Sequence, residues 1–177
     1  MTGTEIRTGE RADLLDALRT HRAFLRFTTR GLTDEQAAAR TTVSELCLGG
    51  LIKHVTGGER GWVDFILHGP DALGGGKSFS DWTEEDYARR ADEFRMLPGE
   101  TLAGVLAAYD EVAERTDELV ATLPDLDASH PLPAAPWLEP GGRRSARRVL
   151  LHIIAETAQH AGHADILREA IDGAKTM

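Results

Sequence analysis

The stretch LLHIIAETAQHAGHADILRE, Leu150 to Glu169, carries three histidines, His152, His160 and His163, and three carboxylates, Glu156, Asp165 and Glu169. Imidazole and carboxylate are the donor types that hold divalent cations on helix-bundle walls. Their direction decides whether they can act together. Advancing about 100° per residue from His152 at zero, His163 falls at about 20°, Glu156 at about 40° and His160 at about 80°. Val149, Ile153 and Leu167 share that arc, whereas Arg147, Asp165 and Glu169 point the opposite way, as a solvent face should. Ionisable groups on an apolar side are costly unless they are hydrogen-bonded, paired or coordinated.

Glu156 and His160 are four residues apart, so on a helix they stack one turn above the other and can reach one point. They would supply two metal ligands, and a third must come from another helix. His54 is the best candidate, because it borders the apolar stripe of Leu51, Val55 and Trp62. Gly57, Gly58 and Gly61 lie beside it and suggest close packing or ligand access. His163 and His152 fit three roles: orienting a ligand from behind, acting as a fourth ligand, or bonding within the core. His21 reads as a core or boundary histidine, and His68 and His130 as solvated ones. Spacing alone leaves a metal site and a hydrogen-bonded core network both open.

The rest of the chain must position these groups. Its 177 residues suffice for one domain, 1–177, with its own core. Abundant Ala and Leu and few aromatics favour an all-α fold. Apolar residues recur at helical spacing from Arg11 to about Thr28, and Gly31 is a stop. Thr33 caps a short helical turn through Ala39. A second long helix is predicted from near Ser44 to Gly69-Pro70, a third from Thr101 to Leu123 before Pro124, and a last from Ser145 to Asp172 before Gly173. The connection between the second and third long helices spans about thirty residues, with a short helix around Thr83 to Phe94; that length implies a crossover. Within it GGGKS is no phosphate loop, since the pattern requires glycine where Asp71 stands, and a preceding strand. PDLDASHPLPAAPWLEPGG, rich in proline, is excluded from helix and from central strand and reads as a long surface loop. Four long amphipathic helices make a four-helix bundle with a long crossover between helices two and three.

The net charge of −9 argues against a nucleic-acid partner. The one basic cluster, Arg143, Arg144, Arg147 and Arg148, requires either acidic neighbours or an anionic ligand. No apolar run reaches membrane-spanning length and the N-terminus lacks a signal-peptide core, so a cytoplasmic protein without membrane contact is expected. Cys47, the single cysteine, lies among Leu46, Leu48, Leu51 and Ile52 and reads as a buried, inert thiol.

Three motifs, GLTDEQAAAR, GGLIKHVTGGERGW and LLHIIAETAQHAGHADILREAIDG, in this order and spacing, resemble the DinB-like superfamily, in particular its actinobacterial branch of mycothiol-dependent enzymes. The resemblance implies a four-helix bundle with a crossover between helices two and three, and a divalent metal on three side chains. These correspond to His54, Glu156 and His160, the glutamate replacing the histidine of many members and matching the mycothiol-dependent maleylpyruvate isomerase-like branch. His163 corresponds to no family ligand. The implied chemistry is thiol S-transfer or isomerisation of a detoxification type, with mycothiol as cosubstrate, an electrophile as its partner, and zinc ahead of nickel or iron(II). Metal-activated water for hydrolysis and a non-catalytic metal-binding bundle are the alternatives. Access decides between them: catalysis needs an open coordination position, a structural site a fourth protein ligand. Bundles of this kind also form homodimers through exposed helix faces.

Overall fold

A computed structural model describes residues 9–73, 81–133 and 138–176. Four long helices carry the fold: α1 (Glu10–Phe27), α3 (Leu48–His68), α5 (Leu102–Thr122) and α6 (Ala146–Asp172). Two short helices, α2 (Asp34–Ala38) and α4 (Glu84–Asp92), lie in the connections, and β1 (Ser129–Pro131) pairs antiparallel with β2 (Arg143–Ser145).

The ends are set by local chemistry. Thr33 and Gln36 close a capping box on α2, Thr83 and Asp86 another on α4, and the side chains of Thr101 and Ser145 accept from Gly104 and Arg148 backbone N–H groups. Gly173 ends α6 in the left-handed conformation, φ 77°. α3 starts at Leu48 rather than near Ser44: the Ser44 hydroxyl accepts from the Leu46 backbone N–H in a local turn that competes with the helix. The proline-rich stretch, expected as loop throughout, contributes β1, whose backbone pairs Ser129 with Ser145 and Pro131 with Arg143. A two-strand ribbon has only edges, so proline is tolerated there. The glycine-rich GGGKS segment falls outside the described residues.

Side-chain contacts give the directions. Arg147 binds Glu10 and Arg168 binds the Thr28 carbonyl, so α1 and α6 run parallel. His54 meets His160 and Trp62 meets His152, which makes α3 antiparallel to α6. Lys53 binds Glu100 and Arg115 binds Asp64, so α5 runs with α3. Two consecutive long helices that run parallel need a crossover the length of the bundle, and residues 69–101 provide it. The crossover lies tight against α3: a Cβ on Gly50 would enter the Phe94 backbone, and one on Gly49 the Met96 side chain. By contrast, no described atom lies within 4 Å of where a Cβ would stand on Gly57 or Gly58.

The apolar core divides into one cluster around Leu18, Val63, Phe65, Val149 and Ile153 and another around Leu25, Leu51, Ile52, Tyr109 and Leu167. A polar layer accompanies them. Arg22 forms an ion pair with Glu59, their side chains 5% and 1% exposed; Arg22 also donates to Asp117 at 2.8 Å and Thr116 donates to Glu59 at 2.5 Å. Removing one member of such a pair strands a buried charge. Glu59→Ala is expected to cost about 3–5 kcal/mol in chemical denaturation; a loss below about 1 kcal/mol would show that the pair is dispensable.

Candidate metal centre

His54 projects from the second turn of α3, and Glu156 and His160 from adjacent turns of the antiparallel α6. One donor atom from each lies within 4.8 Å of the others, and among the described residues this is the one such group of three. The His54 and His160 rings meet edge to face at 4.9 Å. His160 Nε2 stands 3.6 Å from Glu156 Oε2, and His152 Nε2 stands 3.9 Å from Oε1.

The stripe does not sit inside the core. The buried face of α6 runs through Val149, Leu150, Ile153, Thr157, Ala161 and Ala164, so the arc of His152, Glu156, His160 and His163 forms its margin at the seam with α3. Each of the four is half-buried, and the Glu156 side chain is 43% exposed against 13% for His160. One carboxylate edge is therefore open while the imidazoles are sheltered.

The two ambiguous histidines take different positions. His163 Nδ1 lies 3.3 Å from His160 Nδ1, on the opposite side of the ring from Glu156. It stands apart from the three-donor group, at a distance from which it could orient His160. His152 packs its ring edge to face on Trp62 at 4.9 Å. His21 packs on Phe24 and is not a member of the group. His68 is exposed as expected. His130 is not solvated: its Nε2 lies 3.2 Å from the Ile66 carbonyl and its ring rests on Phe65. β1 carries it there, a position no spacing rule exposes.

Phe94, in the crossover, stacks on His54 at 4.1 Å, and Arg90 lies over the other end of that system, 4.9 Å from the Phe94 ring. Phe94 escaped the sequence reading because its segment has little periodicity; its only signal was the paired glycines Gly49 and Gly50 that admit it. Burial, then Arg90 and His160, push His54 down to a pKa of about 4. Burial likewise lowers His160 and His152. The imidazoles are thus neutral at ordinary pH, the form that coordinates metals. His54 Nδ1 is buried without a hydrogen-bond partner, an expense that a coordinated cation at the ring would offset. Neutral imidazoles, an accessible carboxylate and that unsatisfied nitrogen fit a divalent ion.

This arrangement lies within a chain that matches the mycothiol-S-transferase family over residues 13–173. The chain belongs to that family. No curated protein matches it. Among solved structures, a conserved protein from Enterococcus faecalis shares the fold, with a TM-score of 0.69 at 12% identity, covering 95% of this chain and 100% of that one. The family match agrees with the resemblance carried by the three motifs, and the all-α bundle with its crossover is the expected DinB-like architecture.

Two outcomes follow for this mycothiol-S-transferase family member. His54 has a folded-state pKa below its ordinary 6.5, so the unfolded chain binds the extra proton first. Its contribution is full above pH 6.5 and is lost as pH falls toward 4. The metal-free protein should therefore lose stability across that window, and His54→Gln should lose less; equal losses in denaturant melts at the two ends would refute the linkage. Separately, His163→Ala should weaken divalent-metal affinity by about 10–100-fold in a competitive chelator titration, and unchanged affinity would remove its orienting role.

Proposed function

We propose that the protein is a divalent-metal-dependent thiol S-transferase, with His54, Glu156 and His160 as the metal ligands and mycothiol as the thiol substrate. The observation that carries this reading is the open, three-donor group on the α3–α6 seam. A structural site would be closed by a fourth protein donor, whereas among the described residues only three donors converge, with His163 beside the far nitrogen of His160 and His152 packed on Trp62. Zinc is the leading metal for two imidazoles and a carboxylate; nickel and iron(II) suit the same donors. A divalent ion held there would supply Lewis acidity, favouring the thiolate form of a small thiol at neutral pH.

The chain's own residues support a thiol that arrives from outside. Cys47 is buried, 1% exposed, with its Sγ 3.8 Å from the Phe94 carbonyl, so it is inaccessible as a nucleophile. Glu156 offers its exposed edge to the opening. Trp62 packs on His152 and Phe94 stacks on His54, so both lend apolar walls next to the donor group. Those walls would exclude water from an attacking thiolate, and an electrophile seated beside it would be the acceptor. One free cysteine and a small-thiol substrate suit the cytoplasm, where thiols stay reduced. Among the described residues no helix is long and apolar enough to cross a membrane.

The test begins with metal content of protein purified without an affinity tag, followed by titration of the metal-loaded form with mycothiol and with glutathione. One metal per chain and a response to mycothiol alone are expected. His160→Ala and Glu156→Gln should each abolish stoichiometric binding while retaining helical circular dichroism. One-to-one metal in both variants would eliminate this donor set, and a loaded centre indifferent to mycothiol would eliminate S-transfer.

A further inference from the structure

The four clustered arginines resolve into two kinds. Arg147 pairs with Glu10 and Asp127, and Arg143 donates to the Ser129 carbonyl at 2.6 Å. These two are consumed by the fold. Arg144 and Arg148 have no side-chain hydrogen bond or ion pair with any described residue, although the chain carries 29 acidic residues. Arg144 is the more telling. Its Nη1 is buried without a partner, and a guanidinium N–H stripped of water and left unbonded is expensive.

Arg144 is also held in place. The β1–β2 pairing sets it opposite His130, and its guanidinium lies over the Trp62 ring at 4.8 Å. With a ring on one face of the guanidinium and Nη1 closed off, the Nε and Nη2 donors, which no described residue engages, form the in-plane edge that can recognise a flat or tetrahedral oxyanion in two-point fashion. Trp62 in turn packs on His152, which approaches Glu156. The unsatisfied cation therefore stands at one end of a contact path that ends at the metal-ligand candidates. Arg148 adds a second charge near enough to act on both Arg144 and His152.

We infer that Arg144, reinforced by Arg148 and braced by Trp62, is an oxyanion-binding subsite that anchors a carboxylate or phosphoryl group of the electrophilic substrate beside the His54–Glu156–His160 centre. The location beside a substrate rests on the proposed S-transferase reading; the anion binding itself does not. An acidic electrophile would be drawn to this pole of a chain whose net charge is −9. It would be fixed at one end by Arg144 while its reactive carbon faces the thiol.

Calorimetric titration of the full chain, first metal-free and then metal-loaded, with succinate, inorganic phosphate and neutral succinamide separates the possibilities. The expected result is binding of one or both anions, and not of succinamide, in the metal-free protein. Succinate ahead of phosphate assigns a carboxylate, the reverse a phosphoryl group. Arg144→Gln should weaken anion binding by about tenfold to a hundredfold, and Arg147→Gln should leave it unchanged. If Arg144→Gln does not fold, Arg144→Lys, which retains charge and stem but not the fork, should still weaken binding measurably. Unaltered affinity in a folded Arg144 variant, absence of anion binding, or binding only after metal loading would each overturn the subsite. Failure of metal or mycothiol binding leaves the metal-free titration unaffected, so the two readings fail separately.

Discussion

The buried ion pair between Arg22 and Glu59 is the constraint to which the rest of the bundle conforms. Sheltering two charges costs several kcal/mol each unless both are fully engaged. Here Asp117 and Thr116 complete the coordination, and the arrangement works only if α1, α3 and α5 meet in one register. Tyr109 and Thr157 extend the polar layer toward α6, their buried hydroxyls close enough to interact although neither makes a hydrogen bond of ordinary geometry. Apolar contacts between helices tolerate slippage; a charge pair with fixed partners does not. Glu59 lies five positions beyond His54 on α3 and Thr157 directly follows Glu156 on α6, so this layer sets the height at which the donors of the two helices face each other.

That facing is made at a margin rather than in the interior. A donor set at the centre of the core would hold its ion but admit no reactant. One on the outer surface would leave its imidazoles protonatable and mobile. On the α3–α6 seam, burial keeps the imidazoles neutral, while Glu156 remains within reach of solvent. The crossover completes the shelter: Phe94 covers His54, and it comes that close because Gly50 presents no side chain to its backbone.

Much of this was legible in the residues. Caps and 3.6-residue periodicity located α1, α2, α5 and α6 closely, because those signals are local. The donors His54, Glu156 and His160 come together as their spacing and the family motifs implied. Non-local features were not readable. Arg22 and Glu59 look like ordinary surface charges in a helical sequence, and only the three-dimensional crossing pairs them. Of the two roles open to Gly57, Gly58 and Gly61, close packing or ligand access, close packing falls away, since they face open or ordinary space, while Gly49 and Gly50 carry the tight approach. The angular reading set the ionisable stripe on the apolar side because it averages over α6; the actual burial is rotated toward Thr157 and Ala161. His130 was misplaced because a short strand inside a proline-rich stretch gives no periodic signal.

The division of labour between helices and connections has an evolutionary consequence. The metal-ligand candidates sit on α3 and α6, whose register is tied to the buried charge layer. Phe94 comes from the α3–α5 crossover and Arg144 from the ribbon that precedes α6. Substitutions in those connecting segments alter what surrounds the donors without disturbing the helix contacts that hold them. A lineage built on this bundle is thus free to vary the surroundings of the three side chains segment by segment, trading one wall for another, while their mutual placement is inherited intact.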